Sequence, residues 1–289
     1  MKIIKYFLGL LFFSIVTLGG AVKPVKYKTP YKYNPHKGKK YDPSSSEKFK
    51  VSRSDLDLFF KCPRCFYISY RLGVHPEHGF PFKLNEAVDK LLKAEFDTYR
   101  KDKKPHPLFI KSKLNLVPYH DQERIDYWRD AFHGKGIQYA IPGTKFVITG
   151  GIDDIVEDDK GVLYVVDFKA TAQDEEITLD EAWKDNYKRQ LEVYEWLLRK
   201  NGYTVSDTAY FFYCNGNANA GSFNNALHFD SSLLAYTRER DDAWWDKTVN
   251  AACECLQRNK PPKEKGKDCG TCIYFDAVID VLKPFQDEA

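Results

Sequence analysis

The feature that most constrains the fold of this 289-residue chain is a strand–turn–strand pattern near its middle. Residues 162–166 form an uninterrupted apolar, mostly β-branched run, which is typical of a strand that is buried on both faces of a sheet. Residues 158–161 have the composition of a tight turn, and residues 145–157 indicate a preceding strand. The pattern therefore predicts a β-hairpin whose second strand, residues 161–169, lies inside a sheet.

Two aspartates flank this hairpin and predict a metal site. Asp153 and Asp167 are equally distant from Lys160, so pairing about that residue sets them opposite each other with Cβ atoms about 5 Å apart. Strand alternation places Asp167 and Lys169 on one face and Phe168 on the other. Opposed carboxylates need a cation, and hard oxygen ligands favour Mg²⁺ or Mn²⁺, a chemistry suited to phosphodiesters. The alternative is a solvated sheet edge with Lys169 as a salt-bridge partner.

Helices and further strands surround the hairpin in the sequence. Ser52 and Asp55 form a capping-box-like start for a first helix. Helical periodicity then predicts helices over residues 82–100, 121–132, 179–200 and 241–257, with a strand over residues 208–214. Helices and strands in this order predict a mixed α/β fold with helices packed around a central sheet.

Three sequence blocks closely resemble the PD-(D/E)xK nuclease superfamily, specifically its RecB-like branch, which includes CRISPR-associated exonucleases. They are Gly150-Gly151-Ile152-Asp153, Asp167-Phe168-Lys169 and Gln190-Leu191-Glu192-Val193-Tyr194. The resemblance extends over residues 51–289. It implies a restriction-endonuclease-like, three-layer α/β/α core with a mixed central sheet.

The resemblance also implies roles for individual residues. Asp153, Asp167 and the Phe168 carbonyl would be metal ligands, and Lys169 would be the catalytic lysine. The branch usually has a metal-binding histidine on the early helix, but no histidine lies between residues 82 and 100. Asp89 occupies the expected place, with Glu86 one turn earlier as the second choice.

The helix over residues 179–200 carries the third block. Gln190 and Tyr194 are four residues apart and share a helix face, so both are able to point at the strand ends. The resemblance implies that they position DNA or the active centre. Lys188 and Arg189 lie beside them and are expected to bind nucleic-acid phosphates. The alternative is that Tyr194 belongs to the core and Gln190 is its surface neighbour.

Four of the seven cysteines form two Cys-x-x-Cys pairs, Cys62 with Cys65 and Cys269 with Cys272. Paired knuckles of this kind predict a four-cysteine metal site, which here requires the ends of the domain to meet. RecB-like relatives are similar in holding a 4Fe–4S iron–sulfur cluster, typically with one early and three late cysteines. The two-plus-two arrangement keeps Zn²⁺ as an alternative, and a redox dithiol or a disulfide is a further one.

The first fifty residues differ in character from the rest. Residues 1–22 have the layout of a signal peptide, and they are also just long enough for a membrane anchor, or they result from a mis-assigned translation start. Residues 23–50 are basic and lack apolar periodicity, which predicts a disordered linker. An anchor followed by basic residues would keep residues 51–289 in the cytoplasm, whereas a cleaved signal would export them.

A net charge of +3 is compatible with a DNA partner without demanding one. The resemblance implies a metal-dependent nuclease that hydrolyses DNA in repair, recombination or defence, with a helicase or a repair or recombination protein as a partner. Two alternatives remain. One is a catalytically silent nucleic-acid-binding module with the same fold, and the other is an exported or membrane-bound protein with disulfide-linked cysteines.

Overall fold

The structure is a computed structural model that describes residues 38–76, 82–219 and 221–283. These residues belong to one compact unit. Among them the α-helices are α1 (Arg53–Lys61), α2 (Pro63–Tyr67), α3 (Lys83–Asp102), α4 (Pro107–Lys111), α5 (Gln122–Arg129), α6 (Asp185–Lys200), α7 (Asp242–Gln257) and α8 (Gly270–Leu282).

The strands form two sheets. Their bounds are β1 (Phe49–Ser52), β2 (Val117–Pro118), β3 (Ile137–Ala140), β4 (Phe146–Gly150), β5 (Asp154–Glu157), β6 (Leu163–Thr171), β7 (Thr208–Gly216) and β8 (Phe229–Thr237). The larger sheet has the order β2-β5-β6-β7-β8, and the smaller one has the order β1-β4-β3. Both sheets are mixed, because β6 runs parallel to β7 and β1 runs parallel to β4 while the other pairs are antiparallel.

Strand β6 lies in the interior of the larger sheet, as its apolar run predicts. Val165 and Val166 are both fully buried, but they belong to different apolar clusters on opposite faces of the sheet. Helix α3 packs on one face and helix α6 on the other. The predicted mixed α/β fold, with helices on both faces of a mixed sheet, is therefore confirmed.

The strand predicted over residues 145–157 is divided in two. Its first half is β4 in the smaller sheet and its second half is β5 in the larger one, with residues 151–153 between them. Gly151 interrupts the apolar run at the point where the chain passes from one sheet to the other. This break leaves Asp153 immediately before β5 instead of inside a long strand.

The folded unit begins before Val51. Phe49 and Lys50 belong to β1, and Tyr41 is buried and stacks on Phe146 at 4.9 Å between ring centroids. Part of the segment predicted as a linker is thus tied to the core by aromatic packing. The segment predicted as a signal or anchor, residues 1–22, lies outside the described residues. Within the described ranges, the helices are too short or too polar to cross a bilayer.

Helix α6 carries a buried carboxylate, Glu195, that makes stability depend on pH. Both of its oxygens are buried without a hydrogen-bond partner in the described part of the chain. Burial raises the pKa of Glu195 to about 8, although Arg199 opposes the rise. A raised carboxyl pKa gives stability that is present below the unfolded pKa, about 4.3, and is lost as the pH rises through 8.

We therefore expect Glu195→Gln to raise the melting temperature at pH 9 by about 5 °C and to change it little near pH 5, because only the charged form is penalised. Thermal unfolding across this pH range measures the effect. The matched control is Glu123→Gln on the exposed face of α5. An equal shift at both pH values would show that the carboxyl charge is not the cause.

Candidate active site

The hairpin of β5 and β6 sets the geometry of the candidate site. Asp154 pairs with Val166 and Glu157 pairs with Leu163, so the ladder is centred on Lys160 as predicted. Continuing this register by one residue brings Asp153 opposite Asp167. The Asp153 carboxylate accepts a hydrogen bond from the Phe168 main-chain N–H at 3.0 Å. The N–H and C=O of one strand residue point toward the same neighbouring strand, so the Phe168 carbonyl also faces this edge.

Asp167 is a fully buried carboxylate. It pairs with the Lys169 ammonium and accepts a hydrogen bond from the Gln190 amide at 2.7 Å. Burial is the main reason that its pKa is raised to about 6, and Asp153 adds to the rise while Lys169 opposes it. The site therefore concentrates negative charge in a place where water does not stabilise it.

Lys169 lies beside Asp167 on the face predicted by strand alternation. Its side chain is 15% exposed, and its Nζ lies 4.6 Å from the centroid of the Tyr187 ring. Phe168 points to the opposite face, where its ring packs against Phe96 of α3 at 5.1 Å between centroids. These contacts disagree with the alternative of a solvated sheet edge, because the Asp167 side chain has no exposed surface.

Helix α6 brings Gln190 and Tyr194 to the same side of the site. The Gln190 amide contacts both Asp167 and the Tyr194 hydroxyl, the latter at 3.2 Å. Tyr194 is buried, and this raises its pKa to about 12. It packs so close to Gly150 that a Cβ there would meet the Tyr194 ring at 2.7 Å. The first glycine of the Gly-Gly-Ile-Asp block thus makes room for the tyrosine.

Helix α3 contributes Asp89 and an unpredicted lysine, Lys93. The Lys93 ammonium contacts Asp89 at 2.8 Å and Asp153 at 3.4 Å, so it links the two carboxylates. Burial raises the pKa of Asp89, and Asp153 raises it further. Glu86 is exposed and pairs with Lys83. A cleft of about 330 Å³ opens beside Lys169, and the residues lining it include Asp89 and Glu86.

The two residues predicted to bind phosphates, Lys188 and Arg189, differ in their surroundings. Arg189 is buried, and its guanidinium donates to Asp57 at 2.7 and 2.9 Å while lying 4.2 Å from the Phe60 ring centroid. The prediction for Arg189 is thus corrected, because its donors hold α6 against α1. Lys188 is 15% exposed and pairs with Asp185 at 3.4 Å, so its role in binding stays a prediction.

Sequence reasoning also missed cations that face the acidic residues. Arg53, at the start of α1, lowers the pKa values of Asp167 and Tyr194 by its charge. The residue is far from the hairpin in sequence, and its nearness depends on tertiary packing. The helical spacing of Asp89 and Lys93 was the available signal for Lys93, since residues four apart on a helix are neighbours.

Behind Asp153, a buried ion-pair network fixes the start of β5. Asp154 is fully buried and binds Arg100 of α3 and Arg129 of α5, the latter at 2.7 Å. The Arg129 side chain also donates to the Asp153 main-chain carbonyl at 3.0 Å. The network ties two helices to the strand, and it holds the main chain of Asp153 at the edge of the site.

The residues around this edge fit a divalent cation by their chemistry. Asp89, Asp153 and Asp167 supply hard oxygen donors, which suit Mg²⁺ or Mn²⁺. Within the ranges that the structure describes, these carboxylates do not converge as closely as the four thiols do. Lys93 and Lys169 instead balance their charge. A buried carboxylate beside a second carboxylate is the arrangement that a cation stabilises.

The four predicted cysteines come together although they are about 200 residues apart. Cys62 and Cys65 flank the start of α2, and Cys269 and Cys272 flank the start of α8. Their sulfur atoms all lie within 4.8 Å of one another, a geometry able to hold a metal ion. The structure places no disulfide bond between any of the seven cysteines, all of which lie in the described residues. The predicted junction between the ends of the domain is confirmed.

Comparison with known proteins identifies a family for this chain. The family model described as "PD-(D/E)XK nuclease superfamily" matches residues 81–277. A search of the curated proteins gives no match. Nine chains of solved structures match, and one of these is described as "Crystal structure of SSO0001"; it is 14% identical, with 75% of this chain and 80% of that chain covered and a TM-score of 0.35. Since the family model spans more than half of the chain, this protein belongs to the PD-(D/E)XK nuclease superfamily.

Proposed function

We propose that this protein is a metal-dependent nuclease that hydrolyses DNA phosphodiester bonds. The observation that carries the proposal is the buried Asp167 carboxylate, held opposite Asp153 and in contact with Lys169 and Gln190. Membership of a nuclease superfamily supports the same reaction class. The three sequence blocks support assignment to the RecB-like branch.

Each residue has a distinct task in this proposal. Asp153, Asp167 and the Phe168 carbonyl would hold a divalent cation, and Asp89 would complete the ligand set from α3. The chemistry that such a cation would supply is polarisation of a phosphoryl oxygen and a lower pKa for a water molecule. Lys169 stabilises negative charge that develops on the phosphate. Gln190 keeps the Asp167 carboxylate oriented, and Tyr194 in turn supports Gln190.

We further propose that the folded unit, which contains the predicted domain of residues 51–289 and also Tyr41 and the start of β1, acts as the nuclease domain in DNA repair, recombination or defence, with a helicase or a repair or recombination protein as partner. With Arg189 buried against Asp57, Lys188 is the one of the two predicted residues that we still propose to contact nucleic-acid phosphates. Two localisations are to be compared. A membrane tether through residues 1–22 would leave the nuclease in the cytoplasm, whereas cleavage of these residues as a signal would export it.

A second function is a catalytically silent DNA-binding module. The two lysines that pair with the acidic residues favour it, because Lys93 and Lys169 already balance part of the negative charge. The experiment that separates the two functions is cleavage of end-labelled single- and double-stranded DNA by the full chain with Mg²⁺, Mn²⁺ or EDTA. Cleavage that EDTA stops is the expected result. DNA binding without cleavage under every condition would replace the nuclease by the silent module.

The contacts of Lys93 predict that replacing Lys93 and replacing Asp89 have opposite effects on the Mg²⁺ concentration needed for cleavage. Its ammonium competes with a divalent ion for Asp89 and Asp153, so Lys93→Met should lower the Mg²⁺ concentration for half-maximal cleavage by about 3- to 10-fold. Asp89→Asn removes a ligand charge and should raise that concentration by at least about 10-fold. Cleavage rate against Mg²⁺ concentration measures both changes.

The matched control is Lys90→Met, an exposed lysine on the same helix. If Lys93→Met instead lowers the maximal rate without shifting the Mg²⁺ dependence, Lys93 acts on the substrate and does not compete with the metal.

A further inference from the structure

The distances between the four thiols distinguish two kinds of metal centre. Cys62 and Cys272 Sγ atoms lie 3.6 Å apart, Cys65 and Cys269 3.5 Å, and Cys65 and Cys272 3.4 Å. The other pairs stay within 4.8 Å. The sulfur–sulfur separations are therefore the quantity to compare with those in each kind of metal centre.

A single tetrahedral Zn²⁺ with bonds of about 2.3 Å places its sulfur ligands about 3.8 Å from one another. In a 4Fe–4S cluster each thiolate binds a different iron at the corner of a cube, which spreads the sulfurs to about 6 Å. The separations between the four cysteine sulfurs in this chain are all within 4.8 Å, smaller than the spacing in such a cluster. The sulfur positions thus match one tetrahedral ion more closely than the cluster that the resemblance implies.

We propose that the four cysteines hold a single Zn²⁺ ion and no iron–sulfur cluster. Four protein sulfurs fill every position of a tetrahedral ion, so the site is closed to substrate and its role is structural. It joins the start of α2 to the start of α8, and so it fastens the two ends of the domain together. This proposal does not depend on nuclease activity.

Main-chain contacts around Cys62 hold the two cysteine-bearing segments together. Cys62 Sγ accepts hydrogen bonds from the N–H groups of Cys65 at 3.4 Å and Gly266 at 3.3 Å. A Cβ on Gly266 would meet the Lys61 carbonyl oxygen at 1.9 Å and the Cys62 Cβ at 3.3 Å. The segment leading to Cys269 is thus packed directly against the Cys62–Cys65 segment.

The test is the metal content of the full chain, purified without oxygen and with a reductant. We expect about one zinc per chain with neither iron nor acid-labile sulfide. Replacement by Co²⁺ should give the visible d–d bands of a tetrahedral thiolate site. Cys272→Ser should lose the zinc, whereas Cys214→Ser, outside the cluster, should keep it.

Two results would overturn the proposal. One is about four iron and four sulfide per chain, with the broad visible absorption of a cluster. The other is folded wild-type protein that holds no metal and gives no tetrahedral Co²⁺ spectrum. Neither measurement involves DNA, so failure of this proposal is distinguishable from failure of the nuclease proposal.

Discussion

Asp167→Asn and Lys169→Ala are each expected to reduce the rate of DNA cleavage by at least about 100-fold, because a metal ligand or a charge that stabilises the transition state is lost. Asp167 is fully buried, and burial raises its pKa to about 6, so the native state carries a poorly solvated charge. Asparagine has nearly the same shape without that charge. The melting temperature of Asp167→Asn should therefore change much less than the activity, because relief of the poorly solvated charge offsets the loss of the ion pair with Lys169.

The two controls lie in the turn of the same hairpin. Asp159→Asn and Lys160→Ala change the same residue types at exposed positions and should leave both rate and stability unchanged. Single-turnover cleavage and thermal unfolding measure the two properties. If Asp167→Asn loses activity only in proportion to lost stability, the carboxylate has a structural role and the assignment to the active site fails.

Loss of the four-cysteine centre is expected to be the largest change in stability. The centre links segments about 200 residues apart, and metal binding contributes directly to the free energy of folding. Cys62→Ser should lower stability by at least about 3 kcal/mol, which corresponds to about 10 °C in melting temperature for a domain of this size. A strong chelator should produce the same loss in the wild type.

Cys214→Ser is the control for this prediction. Cys214 is a buried thiol that contacts Ser231 Oγ at 3.8 Å and lies outside the four-cysteine group. Its replacement should cost much less than that of Cys62. Equal losses for Cys62→Ser and Cys214→Ser, with no effect of chelator, would mean that the thiols stabilise the protein only by packing.

Local sequence patterns predicted the parts of the site that depend on neighbouring residues. The turn composition and the apolar run located the hairpin and its register, and the spacing of Gln190 and Tyr194 predicted their common face. The capping box of α1, formed by Ser52 and Asp55, is also present. These features follow from periodicity and turn chemistry, which act over a few residues.

Features that depend on contacts between distant segments were missed. The passage of the chain from one sheet to the other before Asp153 has no periodic signature. Burial of Arg189 requires Asp57, 132 residues earlier, as its partner. Helix α8 was not predicted, although it carries Cys272 into the four-cysteine group. In each case the deciding interaction is tertiary, and a single sequence does not show which partners meet.

The most direct test of the central claim, that Asp153 and Asp167 hold a divalent cation, is Mn²⁺ binding measured by electron paramagnetic resonance. Manganese suits carboxylate oxygens, so the thiol centre should not compete for it. We predict that wild-type protein binds Mn²⁺ and that the Asp153→Asn, Asp167→Asn double variant binds it at least about 10-fold more weakly. Equal binding by the two proteins would contradict the account, because the cation would then be held elsewhere.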